Sequence, residues 1–415
     1  MAKPKIAILH YSCPPVIGGV EFIIEAHARE FAKAGFDTKL IVGKGEDVWP
    51  GVPSVVLPNL SAGGEKVAPI LESIGRGEVP PTFDNVVAYV ERELRRELRD
   101  VDVCMMHNVL TMHFNLVLTA ALANIMADTD GINFIGWTHD LTFCNPDYEK
   151  HQIRKYPWDL MSKPLDGCRY CVISAQRQQE TEEVLGLPAS QLPVIPDGID
   201  VPLQWDLPER LRELYHAESL STTDIVVMTP TRILRRKNLA AGMEVVGELK
   251  KRGVSLRWLI TGAPDVYNPE TMKYYRELQD QRRRLGILNE VIFLGERFNG
   301  RVSNEEIRAL YRMSDVLLFP SQSEGFGLPV LEAGLSGLVV AISDIPALRE
   351  LAGDDAIYFD LEKGNADEVA DGIVEAMKGC PRTRHWKKVV SKYSWETVFT
   401  NNILPAVMTP EKVWA

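Results

Sequence analysis

Ser321-Gln-Ser-Glu-Gly-Phe-Gly-Leu-Pro-Val-Leu-Glu332 directly follows the apolar run Asp315-Val-Leu-Leu-Phe-Pro320. The run reads as a buried strand, and the stretch after it reads as a loop opening onto an apolar helix. Gly325 and Gly327, on either side of Phe326, let the backbone come close to a ligand. Pro329 suits the first turn of the helix, where its missing N–H is no loss. The free N–H groups of such a helix start, around Gly327 and Leu328, form a seat for phosphate. Glu324 and Glu332 stand on either side of that seat with seven residues between them. A diphosphate seat with a carboxylate on either side suits a sugar nucleotide, with one acid for sugar hydroxyls and one for ribose hydroxyls.

A second constellation lies upstream. Thr231-Arg-Ile-Leu-Arg-Arg-Lys237 follows the strand-like run Asp224–Thr229. Arg232 and Lys237, on either side of a turn, are placed to reach one diphosphate, the first as a fork and the second as a mobile point charge. Near the amino terminus, Pro14-Pro-Val-Ile-Gly-Gly-Val-Glu21 puts Gly18 and Gly19 between a strand and a helix, a further candidate anion loop. It is not the Gly-x-Gly-x-x-Gly of a dinucleotide fold. His139, in Ile135-Gly-Trp-Thr-His139-Asp140, ends another strand at the edge where open α/β sheets bind ligands. His10, His107 and His113 also lie near strand ends and are assigned first to packing.

Glu-x7-Glu in the form SEGFGLPVLEA resembles the donor-site signature of retaining glycosyltransferases of the GT-B fold, glycosyltransferase family 4 (glycosyl transferases group 1). The other motifs follow that family's order: a Gly-Gly loop, a His-Asp strand end, Arg-x4-Lys, then Glu-x7-Glu. Thr231 stands where the family usually has glycine, and Asp197 replaces the asparagine of its Asn-Gly-Ile/Val-Asp turn. The resemblance implies an α/β protein of two Rossmann-like parallel-sheet domains facing across a deep cleft. Residues 1–198 would form the acceptor-side domain and 199–392 the nucleotide-sugar domain, with 393–415 helical and packed back on the first.

The alternation of strands and helices agrees. In the first half, Lys5–His10, Thr38–Val42, Asp102–His107 and Asn133–His139 read as strands, with helices over Glu21–Ala34 and Val86–Leu98. In the second, Asp224–Thr229, Ser255–Thr261, Glu290–Gly295 and Leu338–Ile342 restart the pattern. Two stretches interrupt it, 43–81 and 141–165, and long insertions of this kind are often functional.

Composition narrows the function. At 415 residues the chain exceeds what one core organises, and its balance of hydrophobic and charged residues is that of a globular protein. A net charge of −11 argues against nucleic acid, which needs clustered Lys and Arg. Up to residue 198 there are 18 Lys+Arg against 26 Asp+Glu, which argues against docking on anionic membranes. No apolar run approaches the ~20 residues of a membrane-spanning helix, and the amino terminus lacks a secretory pattern, so a cytoplasmic location is expected. Six cysteines are too few for a disulfide scaffold, and Cys168-Arg-Tyr-Cys171 sits in an apolar strand where packing explains it.

The expected function, as the resemblance implies it, is a retaining hexosyltransferase. It would move a sugar from a nucleoside-diphosphate sugar, UDP-glucose or GDP-mannose, to the hydroxyl of a sugar, sugar phosphate, polyol or glycan. Arg232, Lys237 and the Gly18–Gly19 and Gly327–Leu328 backbones would hold the diphosphate. Glu324 would take the sugar, Glu332 the ribose, and His139 would position the reacting sugar. Fixed cations would do the work of a metal, and no metal or cofactor is expected. Ser323, Glu296 and Arg297 are further candidates for the nucleotide pocket. Three rivals stand beside this reading: a sugar-nucleotide 2-epimerase of the same fold, a glycoside hydrolase, and a non-catalytic nucleotide-sugar-binding protein. The hydrolase would have no use for the phosphate seats.

Overall fold

The computed structural model of the chain describes residues 3–264, 267–298, 301–379 and 381–414, without the side chains of 381–384. Cys380 therefore lies outside the described residues. The chain divides into two compact units, Met1–Ile199 with Trp395–Ala415, and Asp200–Ser394.

The first unit holds strands β1 (Ile6–His10), β2 (Thr38–Val42), β3 (Ser54–Val56), β4 (Val103–His107), β5 (Asn133–Thr138) and β6 (Cys168–Val172). They form one parallel sheet in the order β3-β2-β1-β4-β5-β6, with Ile6 level with both Thr38 and Val103. Parallel strands covered on both faces read as nearly unbroken apolar runs, as β1 and β4 do. Alternate side chains of β1 serve different cores. Ala7 and Leu9 pack with the helices Phe83–Leu98 and Leu116–Asp128. Ile6 and Ile8 pack with Ile24 and Phe31 of the helix Gly19–Lys33 and with Val398, Phe399 and Ile403. The end of the chain is thus part of this unit's core. Trp395 explains Gly198: a Cβ there would stand 2.5 Å from the indole ring.

The second unit repeats the plan with β7 (Ile225–Thr229), β8 (Leu256–Ile260), β9 (Val291–Phe293), β10 (Val316–Phe319), β11 (Val339–Ser343) and β12 (Ile357–Phe359). Their order is β12-β11-β10-β7-β8-β9, again all parallel. In each sheet the order reverses once, between β1 and β4 and between β10 and β7. The crevice beyond the carboxyl ends of such a strand pair is where doubly wound sheets bind ligands.

The pattern in the sequence missed one edge of each sheet, β3 and β12. β3 and β12 are three residues each, too short to show a period, and β3 is only half covered. The strand expected to run to Gly295 stops at Phe293, where a helical turn Leu294–Arg297 begins. Neither long insertion is shapeless: 43–81 contains β3 and the helix Ala68–Gly75, and 141–165 contains three short 3-10 turns that bury Trp158, Leu160 and Met161. Cys168 and Cys171, three residues apart on β6, face opposite sides of the sheet and pack in different cores, so they cannot share a metal ion.

Candidate functional site

The strongest chemistry gathers at the β10–β7 reversal of the second unit. The loop after β7 carries Arg232 and then a 3-10 turn Arg235–Lys237, closed by Asn238 in the left-handed region (φ 51°). The loop after β10 carries Glu324 and leads into the helix Leu328–Ser336. Lys237 and Glu324 meet across these loops in a direct ion pair, with only 12% and 11% of their side chains exposed. Lys237 also lies 5.0 Å above the ring of Phe319, the last residue of β10, which fixes its approach. Among the described residues nothing pairs with the exposed Arg232 guanidinium, five residues before Lys237 on the same loop.

The helix that follows is built to receive an anion. Its N-cap is Gly327, in the left-handed region at φ 106°. A Cβ there would stand 2.6 Å from Leu348 Cδ2, so only glycine fits. Among the described residues no side chain caps this helix and no acid occupies its first turn, while Pro329 has no N–H to satisfy. Gly325 has open space about it, and Phe326 and Leu328 are exposed. One turn on, Glu332 Oε2 accepts the Tyr311 hydroxyl at 2.6 Å. Burial and the adjacent carboxylate push the Tyr311 hydroxyl's pKa up, so it stays a donor. Glu332 and Tyr311 line a pocket of about 670 Å³ with Pro230, Asn304, Arg308 and Leu328. One lobe of the site therefore offers cations and a helix start, and the adjoining lobe offers a carboxylate in a groove.

Other candidates in this unit are engaged elsewhere. The Ser323 carbonyl accepts from Arg236 Nη1 at 2.9 Å and from Ser321 Oγ at 3.2 Å. Glu296 is drawn to Tyr275, Gln279 and Arg282, and Arg297 to Glu218. These contacts brace the helix Pro269–Leu285 and its surroundings.

The first unit answers with buried, neutral groups. Gly19 opens the helix Gly19–Lys33, but Glu21 in its first turn, held by Ser12 Oγ at 2.7 Å, lies over Gly18. An acid already complements that helix start. At the β1–β4 reversal four imidazoles gather: His10, His27, His107 and His139, all at most 5% exposed. His10 Nδ1 donates to the His107 carbonyl at 2.7 Å, and His107 Nδ1 meets His139 Nε2 at 3.1 Å. His139 Nδ1 faces Asp197 Oδ2 at 3.8 Å. That facing carboxylate favours the proton on His139 Nδ1, which makes His107 Nδ1–H the donor between the two rings. Among the described residues His27 has no hydrogen-bond partner on either nitrogen, and it packs edge-on to Trp137, Trp395 and His107. Burial, with His139 adding, pushes His27 down to about 3, and burial, with His10 adding, does the same to His139. Burial also lowers His10 and, strongly, His107. It lifts Asp197 to about 6. Asp140 is held by Arg177, whose Nε also donates to the His139 carbonyl at 2.8 Å. His113 stacks on His151 at 3.9 Å and bonds Thr142.

Sequence reasoning missed Arg236 and Tyr311, whose neighbours in the chain gave no sign of their partners. His107, assigned first to packing, is wholly buried and stacked on Trp137, and it is also the partner of His139.

Comparison with known proteins bears on the same region. Residues 212–392 match the family Glycosyl transferases group 1. Mannosylglucosylglycerate synthase of Petrotoga mobilis is 24% identical over 279 residues, 61% of this chain and 62% of that protein. An uncharacterized glycosyltransferase of Methanocaldococcus jannaschii is 23% identical over 243 residues, 56% of this chain and 58% of that protein. A serotype-specific mannosyltransferase of Escherichia coli is 31% identical over 211 residues, 50% of this chain and 24% of that protein. The chain thus spans about three fifths of the length of the first two and a quarter of the third. The segment that matches this family, residues 212–392, carries β7 to β12 and the whole Lys237–Glu324 site.

Proposed function

We propose that the chain is a retaining glycosyltransferase that takes a hexose from a nucleoside-diphosphate sugar to an acceptor hydroxyl. The observation that carries the proposal is the Lys237–Glu324 pair at the β10–β7 reversal, on a loop that leads into an uncapped helix start. The diphosphate sits at Gly327 and Leu328 with Arg232 and Lys237 against it. Glu324 takes the sugar hydroxyls, and Glu332, oriented by Tyr311, takes the ribose. The names of two relatives speak of mannosyl groups, which puts GDP-mannose ahead of UDP-glucose.

In the reaction the anomeric C–O bond to the diphosphate breaks and its electron pair goes to the phosphate oxygen. The acceptor oxygen bonds to the same face of the sugar, and its proton passes to the departing phosphate. Negative charge grows on the leaving group, so fixed cations and backbone N–H groups lower the barrier without reorganising. Here Arg232 and Lys237 supply the charge a divalent metal supplies elsewhere. His139, expected to position the reacting sugar, is buried and neutral with Nε2 on His107 and Nδ1 facing Asp197, so its part is to brace its own strand end. An anion seat at Gly18 and Gly19 opens only where the Glu21 carboxylate moves aside.

Thermal unfolding with UDP, GDP, ADP and NAD, each with and without magnesium, tests this. A ligand at 100 times its Kd adds about 2.7 kcal/mol of stability. The expected result is a magnesium-independent shift with GDP or UDP. A shift with NAD alone, or with none of them, would overturn the donor site.

A further inference from the structure

The Lys237–Glu324 pair poses a problem that the proposed function does not solve. A diphosphate needs the Lys237 ammonium, yet that ammonium already neutralises Glu324, and both side chains are nearly buried. When Lys237 turns to the phosphate, Glu324 is left as an anion in a poorly solvated position, which is costly unless a second cation stands by. Arg236 is that cation. Its Nη1 lies 3.8 Å from Glu324 Oε2 while 48% of its side chain reaches solvent. The same Nη1 donates to the Ser323 carbonyl at 2.9 Å. The Arg236 carbonyl in turn accepts from Gln322 N at 2.8 Å and from Ser321 Oγ at 3.2 Å, and Ser321 is wholly buried. Main chain and side chain of one arginine therefore tie the loop after β7 to the loop after β10, immediately before Glu324.

Resting on the proposed donor site, we infer that Arg236 is a positioning residue: the standing counter-charge of Glu324, which lets Lys237 leave for the donor diphosphate. It does not itself touch the phosphate. Before the donor arrives, Glu324 is shared by two cations; afterwards Lys237 serves the diphosphate and Arg236 holds Glu324 toward the sugar. A guanidinium suits the task because its fork can keep the Ser323 carbonyl while meeting a carboxylate oxygen.

The test is a double-mutant cycle on nucleoside-diphosphate affinity, using UDP and GDP and following whichever binds the unaltered chain more tightly. Arg236→Gln should weaken that affinity about tenfold, because Lys237 stays on Glu324. In a Glu324→Gln background no anion is left behind, and adding Arg236→Gln should change affinity less than twofold. Arg236→Lys should recover part of the loss in the Glu324 background. Arg236 is half exposed, so unfolding without added diphosphate should be unchanged, and this separates the effect from a collapsed loop. Equal losses in both backgrounds would make Arg236 a phosphate ligand and overturn the inference. No loss in either background would also overturn it. Failure of the unaltered chain to bind either diphosphate would instead sink the donor site itself.

Discussion

The two sheet reversals of this chain are built alike and furnished in opposite ways. At the β10–β7 reversal, charges of both signs gather around Lys237 and Glu324, with Arg236 reaching solvent beside them and Arg232 exposed on the same loop as Lys237. At the β1–β4 reversal, four imidazoles are sealed from water and kept neutral. Charges that have a second cation in reach can exchange partners with a ligand. A buried neutral cluster holds its shape only while no proton enters it. One crevice is therefore organised for exchanging charge and the other for refusing it.

The largest effect that would break this contrast is acid. A histidine whose folded pKa is depressed below the ordinary 6.5 binds its proton first in the unfolded chain. Stability is then lost as pH falls below 6.5, down to about 3 for His27 and His139. Each such group contributes a slope of about 1.4 kcal/mol per pH unit once well below 6.5. His10 and His107 add in the same direction. Asp197, lifted to about 6, works the other way between about pH 6 and its ordinary value, because its folded form binds the proton first, and it offsets one histidine. In the second unit, burial lifts Asp315 to about 6 against the pull of Lys387, so acid does not weaken it there. Hydrogen exchange at pH 6.5, 5.5 and 4.5 should show β1, β4 and β5 opening before β7 and β10. Simultaneous opening, or the second unit first, would end the distinction.

Next in size are Glu324→Ala and Lys237→Ala. Each should lower turnover at least tenfold, about 1.4 kcal/mol of barrier. Neither should lower the stability of the first unit. Near-normal turnover in both would detach the charged crevice from the chemistry. A smaller change is expected at His27, whose two ring nitrogens have no partner among the described residues. His27→Leu removes an unsatisfied polar group and should raise unfolding free energy by about 1 kcal/mol at pH 7. It should also flatten the acid slope. A loss of stability would mean that edge contacts with Trp137 and Trp395 outweigh the missing hydrogen bonds.

The contrast also accounts for what could be read without a structure. The charged crevice was legible because its chemistry sits in short contiguous motifs: Glu324 and Glu332 span one loop and one helical turn, and Arg232 and Lys237 one bend. The central strands were legible because full burial makes them unbroken apolar runs. The histidine cluster was not, because His27, His107 and His139 come from separate elements and meet only through the sheet register. Nothing local distinguishes His107 from a packed residue until β4 and β5 place it against His139. Arg236 escaped notice for a related reason: its partners, Ser321 to Glu324, belong to a loop far along the chain. The edge strands β3 and β12 failed because they are both short and only partly buried, whereas the equally short β9 is fully buried and was read.

The smallest expected effect separates the two glycine-led helix starts. At Gly327 the backbone is left-handed and a Cβ would meet Leu348. Gly327→Ala should therefore cost on the order of 1–3 kcal/mol, with diphosphate affinity falling alongside. Gly19 has a normal backbone and open space around it. Gly19→Ala should leave unfolding free energy within about 0.5 kcal/mol of the unaltered chain. The informative quantity is then its affinity for UDP or GDP. With Glu21 already complementing that helix start, a methyl at residue 19 has no anion to displace, and affinity should change less than twofold. A tenfold loss would show that Glu21 swings away when the diphosphate binds. The sealed, neutral unit would then contribute its own anion seat, and the division between the two crevices would hold only until a donor binds.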